Sequence, residues 1–320
     1  MLKGSITIDI DTLSTHLKGQ GLKRGEYDFL DFREGIDNFL RLLAEFDIKA
    51  TFFVVGKDLL YSQNRATLLK IINSGHEVAN HSMNHIQGFR FLSKEKKEKE
   101  IAEAEKIIFD ITGKKTIGFR TPGWNISDDA IDILESREYL YDSSIFPSFL
   151  NPLLKIMHYT AMNKREKRDR TTLGKLRYSL APDLPYMTSS SSFLKKDKEG
   201  LLELPVSVTP TIRIPFFATF LLKTGEGLFR KSYRAIKDKK RPIIYEFHLF
   251  DFVNFDKKEF ADQIPSKGDK GAYIPQSIHT PFEKKWDLFR RAIEIMAKDY
   301  KFETMEKLTK HYLKENDSKA

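Results

Sequence analysis

The chain has no cysteine among its 320 residues. That absence excludes disulfides, thiolate metal sites and cysteine nucleophiles together, so any bound metal must be held by His, Asp or Glu. Long apolar runs are missing as well. No uncharged run exceeds 12 residues, whereas a membrane-spanning helix needs about 18 or more. Nor does Met1-Leu2-Lys3-Gly4-Ser5 carry the basic and apolar regions of a signal peptide; it runs straight into an alternating strand pattern, and a cytoplasmic chain is the expectation. With 40% hydrophobic and 12% aromatic residues the chain can bury a sizeable core.

Positive charge is plentiful but local. The net charge is +9, and two runs, Lys164 to Arg177 and Arg230 to Arg241, together hold more than that excess. An anionic partner would therefore be met by the middle of the chain. No recognised RNA or DNA motif accompanies the charge, which sets nucleic acid aside. Apolar clusters lie beside the basic runs, Phe146 to Leu154 beside one and Phe216 to Leu222 beside the other. That combination suits either a peripheral segment on an anionic membrane or a small buried core.

Strand and helix signals alternate over the first 142 residues. Ser5 to Asp11 alternates as a strand, Phe32 to Phe46 has helical spacing, and Ala50 to Gly56 is a β-rich run. Thr67 to Asn73 is helical and stops at Ser74-Gly75; His76 to Asn80 is a short strand. A charged helix from Ser93 to Ile111 precedes a strand at Thr116 to Arg120, and Asn125 to Asp129 caps the next helix. The rhythm breaks between about 146 and 241, although Glu203 to Val208 has the look of a barrel strand. It resumes with a strand at Pro242 to Asp251 and a helix at Pro281 to Lys298, then a short strand at Phe302 to Met305 and a last helix at Glu306 to Leu313. Such alternation predicts a parallel sheet with helical crossovers, closed as one α/β barrel over 1–320 with an insertion at about 146–241.

Five short motifs could carry chemistry. Thr7-Ile8-Asp9-Ile10-Asp11 places two carboxylates on one face at the end of the first strand, the catalytic mouth of a parallel barrel. His81-Ser82-Met83-Asn84-His85 spaces two imidazoles to share one ion if the segment is a helical turn. With one carboxylate they complete a two-His, one-carboxylate set that leaves coordination positions open. Gly118 to Trp124, containing Arg120 and Pro122, and Tyr141-Asp142-Ser143-Ser144 follow at later strand ends. Tyr245-Glu246-Phe247-His248 closes the series.

In order and spacing these motifs resemble the polysaccharide deacetylase family, the NodB homology domain of carbohydrate esterase family 4. The resemblance implies an irregular (β/α)7-type barrel and hydrolysis of an N-acyl amide, N-acetyl by default, on a carbohydrate such as a cell-envelope glycan or lipid-linked sugar precursor. It implies a single divalent metal, zinc first with iron, cobalt, nickel or manganese as alternatives, held by Asp11, His81 and His85. Asp9 would then be general base, Arg120 would orient it, His248 would be general acid and Asp142 would tune His248. Trp124 and Pro122 would line the sugar site, with His16 as a further substrate contact in the loop after the first strand. Three departures are visible: Ile10 separates the acids of the first motif, Gly123-Trp124 follows Arg-Thr-Pro where the family has an aromatic directly, and Glu246 stands where the family has Leu. The Asp-Ile-Asp spacing and the basic-apolar insertion are similar to deformylases of lipid-linked aminoarabinose, so a polyprenyl-phosphate-linked 4-formamido sugar is the alternative substrate. A catalytically inactive glycan- or lipid-binding barrel is the alternative of another class. Oligomeric state is not legible.

Overall fold

The first strand explains why the sheet curls. In the computed structural model, which describes residues 1–15, 30–150, 176–260 and 275–317, β1 (Leu2–Ile10) has its last seven positions buried. It pairs in parallel with β2 (Thr51–Val54) along one edge and β9 (Ile243–His248) along the other. Alternation in β1 does not separate core from solvent. Ile6, Ile8 and Ile10 face an outer core shared with Phe32, Ile36 and Phe39 of α1 (Leu30–Glu45), while Thr7 and Asp9 point inward to Arg120. Both faces of a curled sheet are covered, one by helices and one by the opposite wall of the barrel.

Seven strands run parallel in the order β9, β1, β2, β3 (Glu77–Asn80), β4 (Gly118–Phe119), β5 (Tyr141–Asp142) and β8 (Leu202–Glu203). The seam between β8 and β9 has no ladder among the described residues. It is bridged by Ser207, whose N–H donates to the Ile244 carbonyl (3.1 Å) and whose Oγ accepts from the Ile244 N–H (2.8 Å). This is the α/β barrel the sequence predicts. Between strands run the helices α2 (Ser62–Asn73), α3 (Lys94–Thr112) and α4 (Asp128–Ser136). α3 starts where Ser93 Oγ accepts from the Lys96 N–H and stops at Gly113, whose φ of 67° is left-handed. Inside the barrel, Phe53, Tyr141, Leu202 and Ile244 pack below the mouth, plugged from the far end by Met305 and Leu308 of α8 (Met305–Asp317). α7 (Phe282–Ala297) and β10 (Tyr300–Phe302), which pairs with the start of β1, complete the chain.

Within the stretch read as one insertion there is a barrel strand, Leu202–Glu203, which shares only Glu203 with the expected strand at Glu203 to Val208. An antiparallel hairpin, β6 (Tyr186–Ser189) and β7 (Ser192–Asp197), extends the sheet beside it. After β8 come α5 (Ala218–Thr224) and α6 (Glu226–Asp238). Phe216, Leu221, Leu222 and Phe229 are buried in the main core, with Phe216 stacked on Phe229 at 5.1 Å. This apolar stretch packs inward. α6 leads into the start of β9, so its basic C-terminal end lies at the face opposite the mouth. The first basic run falls almost wholly outside the described residues.

Candidate active site

The mouth is formed where β1, β3, β4 and β9 end. Each contributes an ionisable side chain at or just past its end, and together they make one buried polar cluster above the apolar plug. Asp9, Asp11, His81, His85 and Arg120 are each 5% exposed or less, so their charges act on one another with little screening.

Arg120 organises the cluster. Its Nη1 donates to Asp9 Oδ1 at 2.6 Å and to Thr7 Oγ1 at 3.0 Å, its Nε to the Ser143 carbonyl at 2.9 Å and its Nη2 to Ser143 Oγ at 2.9 Å. The guanidinium also lies 4.2 Å over the Phe53 ring and 3.6 Å from Glu246 Oε2. Five donors in a planar fork suit this pattern, which a lysine has too few donors to reproduce. Burial opposes the guanidinium charge, but the carboxylates of Asp9 and Glu246 outweigh it and raise its pKa.

The two histidines converge, though not through a helical turn. Residues 81–85 form a loop in which Ser82 (φ 64°) and His85 (φ 52°) are left-handed, a costly conformation for side-chain-bearing residues that concentrates at functional sites. The expectation of helical i, i+4 geometry is corrected here, and the loop nonetheless brings the rings within 5.0 Å. His81 Nδ1 lies 2.7 Å from the Arg120 carbonyl. That contact assigns the proton to Nδ1 and leaves Nε2 as a lone-pair donor. Burial lowers the His81 pKa despite the nearby charges of Asp9 and Asp11, which favours the neutral ring.

His81 Nε2 is 3.9 Å from Asp9 Oδ2, and His85 Nε2 is 4.0 Å from Asp11 Oδ2. Both separations are too long for hydrogen bonds. The His85–Asp11 separation lies beneath the ceiling of about 4.2 Å for two donors that each lie about 2.1 Å from one ion. Among the described residues the trio whose ligand-type atoms all lie within 4.8 Å of one another is Asp9, Glu246 and His248, not Asp11, His81 and His85. That trio also faces the Arg120 guanidinium, whose Nη1 is 2.6 Å from Asp9 Oδ1 and whose charge opposes a dication there.

Glu246 is fully buried. Its Oε2 accepts from Trp124 Nε1 at 3.1 Å and its Oε1 lies 3.6 Å from His248 Nε2. Burial and then the charge of Asp9 push its pKa up to about 7, against Arg120 and His248. For His248, burial works to lower the pKa, but the charges of Asp11, Glu246, Asp9 and Asp251 together raise it. Asp251 also fixes the strand end, its Oδ2 accepting from the His248 N–H at 3.0 Å.

Asp142 is placed elsewhere. It accepts from Ser144 Oγ at 2.6 Å and is paired across strands with Glu203, and both acids have raised pKa values because burial favours the protonated form. The acids acting on His248 are Asp11 and Asp9 of the first motif together with Glu246 and Asp251, the last two at i−2 and i+3 along the sequence. Asp251 is the residue that sequence reasoning missed, and its only signal is the acid three positions after His248, typical of a capping box. Trp124 is half-buried against Phe146 (4.8 Å) and Phe217 (5.7 Å), with a left-handed φ of 50°. Pro122 is buried in the turn before it. His16 lies outside the described residues. His76, read as structural, accepts from the Ala50 N–H through Nδ1 at 3.0 Å.

The polysaccharide deacetylase family pattern matches residues 26–141. Over 118 residues the chain is 26% identical to the peptidoglycan deacetylase of Helicobacter pylori, covering 37% of this chain and 39% of that protein. Over 100 residues it is 35% identical to the peptidoglycan-N-acetylglucosamine deacetylase of Bacillus cereus, covering 31% and 45%. The matched segments thus span under half the length of these relatives. Among solved structures, a candidate polysaccharide deacetylase from Mycobacterium smegmatis superposes with a TM-score of 0.58 at 17% identity, covering 97% of this chain and 91% of that one, and so shares the fold. The match to the polysaccharide deacetylase family thus rests on residues 26–141, within a fold shared over 97% of the chain.

Proposed function

We propose that the protein is a metal-dependent amidohydrolase that removes an N-acetyl group from a carbohydrate amide. The observation that carries this reading is the meeting, in one buried mouth, of an Asp11, His81 and His85 donor set with the Asp9–Arg120 pair and His248. Asp11, His81 and His85 would hold one divalent ion, zinc being the first choice for an N/O donor set and iron, cobalt, nickel and manganese the alternatives. When bound, such an ion supplies Lewis acidity toward the acyl carbonyl and lowers the pKa of a water.

The chain's own groups supply the proton transfers. Asp9 accepts the proton of the attacking water through Oδ2, because Oδ1 is held by Arg120 at 2.6 Å. Arg120, locked by Thr7 and Ser143, fixes the angle at which that carboxylate meets the mouth. His248 gives its proton to the departing amine nitrogen, and the carboxylates of Asp11, Glu246, Asp9 and Asp251 favour its charged form before that transfer. Asp142, bound to Ser144 and Glu203, braces the β5–β8 seam rather than tuning His248. Trp124 is held by Glu246 and by its aromatic neighbours, so its part at the sugar site is that of a fixed wall.

The test is acetate release by metal-loaded protein from N-acetylated glycan oligomers, with N-formyl sugars, free and lipid-linked, alongside. Turnover of the N-acetyl substrates supports the reading. Turnover of only the N-formyl sugars selects the deformylase alternative. No turnover of either by protein with its metal bound leaves the inactive glycan-binding barrel and overturns the proposal.

A further inference from the structure

Lys285, near the start of α7, is fully buried. The other buried lysine among the described residues, Lys97, is neutralised by Asp129 at 2.6 Å. Lys285 has no such ion pair among the described residues. Its Nζ donates instead to two main-chain carbonyls, of Phe250 at 3.1 Å and Val253 at 2.9 Å, and lies 5.3 Å from the centre of the Phe255 ring. Burial lowers its pKa to about 8 against the charges of Asp251, Asp256 and Glu34, so the ammonium form persists at neutral pH. An ammonium held this way costs stability that a methionine of similar length would not.

What the ammonium holds is the turn that leaves β9, Leu249–Asp251, together with the residues just after it. From the other side Asn38 Nδ2, on α1, donates to the Phe252 carbonyl at 2.8 Å, and the Asn254 N–H donates to Glu34 Oε1 at 3.1 Å. Two helices outside the sheet thus grip one turn. The turn in turn carries both supports of His248. The Phe250 ring is stacked on the imidazole, with centroids 5.3 Å apart and planes at 9°, and Asp251 Oδ2 accepts from the His248 N–H at 3.0 Å. Hydrogen bonds do not fix the ring itself: Nδ1 is buried with no partner among the described residues, and Nε2 stands 3.6 Å from Glu246 Oε1. The direction of the imidazole therefore rests on the Phe250 stack and on the backbone that presents it.

We propose that Lys285, with Asn38 across the same turn, is a positioning residue that sets the direction of the His248 imidazole. The inference rests on the reading of His248 as the group that protonates the departing amine. A proton donor displaced by about 1 Å from its acceptor can cost roughly a hundredfold in rate, which gives a buried, unpaired ammonium a use that packing does not.

K285M keeps the length of the side chain and removes its donors; N38A releases the same turn from the side of α1. Acetate release by metal-loaded K285M should show kcat lowered by about 10- to 100-fold with KM, metal content and circular dichroism as in wild type, and N38A should lower kcat in the same sense. Crystals of K285M should show the imidazole turned off the Phe250 ring. Wild-type kcat in the folded variants overturns the proposal, as does a raised KM with kcat unchanged, or an imidazole left in its wild-type place in K285M. Should K285M not fold, N38A decides by the same readouts, because Asn38 is only half-buried. Should wild type release no acyl group from any sugar, the hydrolase reading fails, and the ring position in the variant crystals still decides whether the clamp positions His248.

Discussion

Replacing Glu77 with Gln should change the pH dependence of folding stability by a calculable amount. Glu77 opens β3 at the end of the barrel opposite the mouth. Its Oε2 accepts from Thr51 Oγ1 (2.7 Å) and the Glu306 N–H (2.8 Å), and its Oε1 from the Tyr141 hydroxyl (2.8 Å). It thereby ties together the strands that carry the site. Burial, only partly offset by these hydrogen bonds, raises its pKa from 4.5 to about 7. The folded state therefore holds a proton that the unfolded chain releases above 4.5. The stability this proton contributes is fully present below 4.5 and is lost as pH rises through 7. Integrating the proton difference from pH 5 to pH 8 gives a loss of about 2.5 kcal/mol.

Glu77→Gln has no proton to lose, so its stability relative to wild type should improve by about 2.5 kcal/mol over that interval. Urea unfolding of both proteins at a series of pH values between 5 and 8 reads the difference. Other carboxyls with raised values, Glu246 among them, tilt both profiles alike and cancel. Parallel profiles would refute the reasoning and mean that Glu77 is ionised in the folded protein throughout.

Asp9→Asn should lower kcat for amide hydrolysis by about 10²- to 10⁴-fold with metal content unchanged, as read by acetate release and elemental analysis; wild-type activity would remove Asp9 as base. Gly118→Ala would place a Cβ 2.0 Å from Tyr141 Cζ, and should cost about 3 kcal/mol or more in urea unfolding, whereas a loss within error would mean that the β4–β5 contact is looser than described.

The sequence exposes most of the site because each chemical residue follows the end of a barrel strand. Asp9, Asp11, His81, His85, Arg120 and His248 therefore meet in one mouth although they span some three quarters of the chain. The long strands β1 and β9 are legible from period-two alternation. Two-residue strands such as β4, β5 and β8 carry almost no periodic signal; parallel neighbours define them. The partner of His248 was equally hidden. Asp142 and Glu246 are both acids at strand ends, and only the packing shows that Glu246 reaches the imidazole while Asp142 turns to Glu203. Nor could spacing reveal that the two site histidines meet through left-handed backbone at Ser82 and His85.

The account depends on where a cation sits. Crystals of metal-loaded protein, with anomalous scattering collected at the metal edge, should show one peak between Asp11, His81 and His85, and elemental analysis should give one equivalent that H81A and H85A lose. A peak between Asp9, Glu246 and His248, or full metal content in both variants, would contradict it.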